Sequence, residues 1–132
     1  MFGTRICDLH VPVRPGGDIA LANAVLKALI ARRAVDHSFI DHHTNGWAET
    51  VAALDAQDLD DLLRQAGVDA DTFERFVDLY AGADASVLIW SMGITQHTFG
   101  VEGVQGIVNL GLARGNVGRN GAGLMPIRGH SG

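Results

Sequence analysis

Ala85-Ser86-Val87-Leu88-Ile89-Trp90-Ser91-Met92-Gly93 decides the fold. Residues 85–91 are short, apolar and bounded by turn signals, so they read as a buried strand that Met92-Gly93 ends. A helix from about Val101 to Ala113 follows, with Val104, Ile107, Val108 and Leu112 on one stripe at helical spacing. The same order occurs once upstream. Residues Arg5 to Val13 alternate loosely and are rich in Ile, Leu and Val, which reads as a short strand. Arg14-Pro15-Gly16-Gly17 stops it. A helix from Asp18 to about Ala34 then carries Ile19, Ala22, Leu26, Leu29 and Ile30 on one stripe, with Asp18 where an N-cap or first-turn acid belongs. Two strand–turn–helix units define an α/β chain with a partial parallel sheet flanked by helices. Two strands leave an exposed sheet edge on at least one side, which points to a missing remainder.

Between the two units lies a helical excursion. Asp36 to Trp47 reads as a short helix and a turn at Asn45-Gly46, and Ala48 to Leu54 as a second helix. Asp58 to Ala66 is another, stopped by Gly67. Asp71-Thr72-Phe73-Glu74 has capping-box spacing and opens a helix to about Ala81, with Phe73, Phe76, Val77 and Tyr80 on one face. From Arg114 onward the chain reads as a glycine-rich loop (Gly115, Gly118, Gly121, Gly123, Gly129), which needs surrounding protein or a ligand to order it.

The 132 residues suffice for one domain, and 47% hydrophobic with 19% charged residues is ordinary for a soluble globular protein. The longest apolar stretch, Ile19 to Ala31, is interrupted by Asn23 and Lys27 and is too short for a membrane span. The first residues lack the pattern of a secretory signal, and a cytoplasmic location is expected. Cys7 is the only cysteine, which excludes a disulfide within the chain and a cysteine-based zinc or iron–sulfur site. The net charge is −5, and its distribution is uneven. Ten acidic residues between Glu49 and Asp84 face only Arg64 and Arg75, which marks the solvated side of helices. Beyond Ser86, Arg114, Arg119 and Arg128 stand against Glu102 alone. That end is suited to an anion, but too sparse in Lys and Arg for nucleic acid.

Both expected strands run into glycine-bearing turns that lead to helices. In open α/β sheets ligands bind at the carboxyl ends of strands, and a helix N-terminus attracts phosphate. The same pattern also describes a plain turn with a capping Asp. The run Gly115-Asn116-Val117-Gly118-Arg119-Asn120-Gly121-Ala122-Gly123 is neither a P-loop nor a dinucleotide fingerprint, because it lacks Gly-Lys-Ser/Thr and follows a helix. His42 and His43 are neighbours that face different ways on a helix, and His97 and His130 are isolated, so no metal site emerges from spacing.

Three segments carry a resemblance. Asp8-Leu9-His10-Val11-Pro12-Val13-Arg14-Pro15-Gly16-Gly17-Asp18-Ile19-Ala20-Leu21-Ala22 resembles the Arg-Pro-Gly-Thr-Asp segment of bis-molybdopterin guanine dinucleotide enzymes. Trp90-Ser91-Met92-Gly93-Ile94-Thr95-Gln96-His97-Thr98 resembles their Met-Gly-x-Thr-Gln segment. Val108-Asn109-Leu110, then residues 115–119, then Gly121 through Arg128-Gly129-His130-Ser131, resemble the run that follows. Order and spacing agree over nearly the whole chain. The match is closest to the formate dehydrogenase-like alpha subunits (the FdhF/YdeP branch of the DMSO reductase superfamily). Two positions depart: Gly17 stands where many relatives have threonine, and His130 where formate dehydrogenases commonly have glutamine.

The resemblance implies a chain that is one internal part, 1–132, of a molybdenum-dependent oxidoreductase. Its cofactor would be molybdenum bis-molybdopterin guanine dinucleotide. Gly16, Gly17 and Asp18 would contact one guanine dinucleotide, since a carboxylate accepts two adjacent N–H donors of guanine as a bidentate pair. Met92 and Gln96 would line the pterin, and the amide of Gln96 offers both donor and acceptor. Arg128 falls where formate dehydrogenases keep a substrate-binding arginine, and would orient a small anion such as formate. His130 would assist proton transfer, as imidazoles change charge near neutrality. No metal ligand is expected from this segment. The cysteine or selenocysteine ligand and an iron–sulfur cluster of the complete enzyme belong to upstream parts, so the remainder of the catalytic subunit is the expected partner and the chain alone is expected to be inactive. The competing reading is a non-catalytic α/β domain that binds a nucleotide or another protein.

Overall fold

The computed structural model describes residues 7–129. Helix α1 (Asp18–Ala31) is the axle of the fold. Ala20, Ala22, Ala24 and Ala28 let neighbouring helices close in, while Val25, Leu26 and Leu29 fill the space between them. A helix this apolar is buried on more than one side. Ile19 and Ile30, expected in the stripe, are therefore only half-buried, and Ala20, Ala24, Val25 and Ala28 join the core instead.

Four shorter helices follow, α2 (His37–His43), α3 (Trp47–Asp55), α4 (Leu59–Ala66) and α5 (Ala70–Gly82); α3, α4 and α5 pack on the axle, and α2 packs on residues 100–113. Aspartates start three of them by accepting a free first-turn amide. Asp36 accepts from Phe39 N, Asp58 from Asp61 N and Asp69 from Thr72 N, each at 2.9 Å. The cap of α5 is thus Asp69, two residues ahead of the Asp71 spacing read from sequence. Gly67 ends α4 in the left-handed region (φ 73°) and donates its N–H to Leu63 O at 2.8 Å.

The sheet has two strands among the described residues, β1 (Val87–Trp90) and β2 (Gly123–Pro126). They run parallel, with Val87 opposite Gly123 and Trp90 opposite Pro126. The crossover between them contains α6 (Met92–Thr95) and α7 (Gly100–Ala113). This is an α/β arrangement with a small parallel sheet, as the sequence implies, but one strand has a different origin. The strand expected at Arg5–Val13 is absent from residues 7–13, and positions 5 and 6 lie outside the described residues. Pro12 has no N–H for a ladder, and Val11 and Val13 pack on the helical core. The segment is tied instead to the end of α4, where Arg14 N donates to Ala66 O at 2.8 Å. Its place is taken by β2, drawn from the run read as loop. A glycine at one end and a proline at the other hide β2 from a pattern search.

Side chains order the remaining glycine-rich turn. Arg114 donates to Ala34 O, Ala81 O and Ala83 O at 2.8, 3.0 and 2.7 Å. Asn116 is buried; its Nδ2 donates to Tyr80 Oη at 3.3 Å, and its Oδ1 accepts from Ser86 N at 3.3 Å and Arg119 at 3.0 Å. Tyr80 in turn donates to Leu110 O at 2.9 Å. This network sits at the amino ends of both strands.

Candidate functional site

The carboxyl ends of the strands lie at the opposite side of the sheet, and there the site is built. After Trp90 the chain turns at Ser91 into α6, and after Pro126 it runs through Ile127 to Arg128. Ile127 N donates to Trp90 O at 2.8 Å, and Ser91 Oγ donates to Ile127 O at 2.8 Å. The register therefore brings Arg128 abreast of the turn that begins with Met92. Within that turn Gln96 Nε2 lies 3.6 Å from Met92 Sδ. Met92, Gln96 and Arg128 are all exposed. Arg128 makes no hydrogen bond or ion pair among the described residues, whereas Arg114 and Arg119 are engaged with backbone carbonyls and Asn116. Of the three arginines read as facing an anion, Arg128 alone keeps its guanidinium available.

A second feature joins the amino end of α1 to the segment after α6. A cleft of about 290 Å³ is lined by Gly16, Asp18, Ile19, Ile94, His97, Thr98, Phe99 and Gly103. Gly16 has φ +82°, and a Cβ there would meet nothing within 4 Å, so its backbone is open to close approach. Gly17 faces the other way. It is buried, and a Cβ on it would stand 2.8 Å from Ala66 Cα. Its N–H donates to Arg14 O at 2.8 Å and its carbonyl accepts from Leu21 N at 3.0 Å. Gly17 fits α1 against α4, and Gly16 and Asp18 form the accessible wall. Asp18 is half-buried, and the first turn of α1 has no side-chain cap.

The structure thus brings Gly16 and Asp18 together with Ile94, His97 and Thr98, and brings Met92, Gln96 and Arg128 to the strand tips. Met92, Gln96 and Arg128 do not line the cleft; the Met92–His97 segment connects the two groups. His130 lies outside the described residues. Sequence reasoning missed His97, Thr98 and Phe99, which stand almost eighty positions from Asp18 and reveal their partner only once the chain folds. It also missed Ser91, whose role depends on the parallel register. Among the described residues no group of three His, Cys, Asp or Glu side chains could hold a metal ion. No helix among them is long and apolar enough to cross a membrane.

Comparison with known proteins gives these features a context. The chain is 36% identical to Protein YdeP of Escherichia coli over 97% of its own length, which is 18% of that protein. It is 37% identical to the probable oxidoreductase YjgC of Bacillus subtilis over 94% of its length, 13% of that protein. With formate dehydrogenase H of Escherichia coli it shares 32% identity over 96% of its length, again 18% of that protein. The chain spans less than a fifth of the length of each. Among solved structures, acetylene hydratase from Pelobacter acetylenicus superposes on 88% of the chain with a TM-score of 0.78 at 20% identity, using 16% of that protein, which shows the shared fold. Residues 2–131 match the molybdopterin oxidoreductase family, and the chain belongs to it.

Proposed function

We propose that this chain forms part of the catalytic subunit of a formate dehydrogenase-like oxidoreductase that holds molybdenum bis-molybdopterin guanine dinucleotide. One observation carries the proposal: the Met92–Phe99 segment borders the Asp18 cleft on one side and the Arg128 strand tip on the other. One long ligand would meet both. The fit is chemically sound. The cleft is near the lower end of the range for small-molecule sites, on the order of 300 Å³, which suits one ring system rather than a whole dinucleotide. Asp18 offers an acceptor pair to the N–H edge of a guanine, and Gly16 lets the ligand approach the backbone. Gly17 contributes by fixing this loop on α4.

When bound, the molybdenum centre supplies two-electron exchange with the substrate. The residues of this chain bind, orient and balance charge around it. Met92 and Gln96 would border the pterin, with Gln96 matching donors and acceptors on its edge. Arg128 would hold a small carboxylate or similar anion through paired hydrogen bonds. His130 would accept or return a proton next to it. The remainder of the subunit would supply the metal ligand, any iron–sulfur cluster and the other walls, in the cytoplasm.

In the complete enzyme Arg128→Ala should lower kcat/KM with formate as test substrate by about a hundredfold or more, as loss of a charge-stabilising donor does. Asp18→Ala should lower the amount of cofactor retained after purification, measured as molybdenum per subunit. Unchanged turnover in the first variant and unchanged metal content in the second would remove both assignments.

A further inference from the structure

We infer that Ser91 is a positioning residue that locks the Arg128 loop to the Met92 turn. This rests on the functional reading of Arg128 given above. In a parallel pair the rungs are evenly spaced, every second residue of one strand bonding to the residues on either side of its partner. With Trp90 opposite Pro126, Trp90 O accepts from Ile127 N at 2.8 Å. The next rung in that series would run from Met92 N to Ile127 O. It is missing, because Met92 has already entered α6. The hydroxyl of Ser91 takes its place and donates to Ile127 O at 2.8 Å. A side chain so completes the ladder at the point where the backbone of one strand leaves it.

The consequence is geometric. Ile127 is half exposed, and Arg128 and Gly129 follow with no hydrogen bond to the rest of the described chain. Among the described residues, this brace and the Trp90 rung are the hydrogen bonds that fix where Arg128 begins. Ser91 is also the N-cap residue of α6, but its side chain caps no amide there. Its hydroxyl is committed to the neighbouring strand tip. Serine is short enough to reach across one strand spacing and small enough to sit at the turn. Threonine keeps the donor, and alanine removes it.

The test uses two readouts. Amide hydrogen exchange of the 132-residue chain should show the Ile127 amide, which donates to Trp90 O, opening about fivefold to tenfold faster in Ser91→Ala, the usual worth of one hydrogen bond, with α1 and α7 unchanged. Ser91→Thr should restore the original rate. In the complete enzyme Ser91→Ala should raise KM for formate more than it lowers kcat, with molybdenum content unaltered, and Ser91→Thr should reverse this. Exchange unaltered at the Ile127 amide overturns the brace. Faster exchange with KM unmoved overturns the positioning role, provided Arg128→Ala itself raises KM. If Arg128→Ala is silent while Ser91→Ala still loosens the tip, the functional reading of the arginine fails and the brace stands.

Discussion

Tyr80 shows how one buried hydroxyl can set a pH limit. Its ring is buried in the core and stacks beside Phe76, and its hydroxyl donates to Leu110 O while accepting from Asn116. Burial raises its pKa above the ordinary 10.0, against the opposing pull of the Asn116 hydrogen bond and the Arg114 charge. The folded chain therefore keeps the proton more firmly than the unfolded chain. That contribution to stability is complete below pH 10 and disappears as pH rises through the raised folded value. Urea midpoints of the native chain should fall as the buffer is taken above pH 10, and Tyr80→Phe should flatten that fall while lowering the midpoint at neutral pH. Asp69 runs the opposite way. Its bonds to Thr72 lower its pKa below 3.8, so its capping contribution is present above that value and is lost as pH drops through the depressed one.

The helices were legible because their caps and faces are local. Asp58, Gly67 and the Phe73, Val77, Tyr80 face announce themselves within a few positions, and all three features are found. What could not be read was which element meets which. On α7 the apolar stripe Val104, Ile107, Val108 and Leu112 is only half-buried, and the packed face joins Gly100, Gly103, Gly106 and Gly111 to Leu110 and Ala113. Glycine carries no hydrophobic signal, yet its missing side chain lets two helices approach: a Cβ on Gly106 would stand 3.0 Å from Ala22 Cβ. Gly17 is the same device between α1 and α4. A threonine cannot enter here without moving backbone, since the neighbours at 2.8–3.0 Å are Ala66 Cα and the carbonyls of Arg14 and Gln65. Gly17→Thr should cost about 1–3 kcal/mol, the usual range for overpacking, read from the urea midpoint. The strand error has a similar root. Residues 5–13 have strand composition, but residues 7–13 run into the end of α4 through the Arg14 to Ala66 bond, and a ladder exists only where a second strand is offered.

Taken whole, the molecule has one finished side and one open side. The helical side is closed around α1 and is bound by Arg32, which pairs with Glu74 and with Asp78 at 2.6 Å. On the sheet, Leu124 faces α7, while Val87, Ile89, Met125 and Ile127 are 43–53% exposed. Parallel sheets in stable proteins are covered on both faces. A groove of about 440 Å³ along β1, walled by Phe76, Leu79, Ile107 and Leu110, adds to the open surface. The family was legible through the resemblance of three segments, but not which of their residues meet: the Asp18 cleft and the Arg128 strand tip come near each other only through the parallel register. The purified chain should bind a hydrophobic dye such as anilinonaphthalene sulfonate and self-associate. Ile89→Lys should reduce both, and dye binding unchanged by that substitution would show that the sheet face is not the surface involved.

The parallel register has a kinetic meaning as well. Ser91 and Ile127 are 36 positions apart, and α7, which packs on α1, lies between them. Loop-closure entropy is spent first and the ladder rewards it only afterwards. The strand tips that carry Met92 and Arg128 should therefore gain their order only after the intervening helix has formed, and pulse labelling of the Ile127 amide during refolding would check that sequence of events.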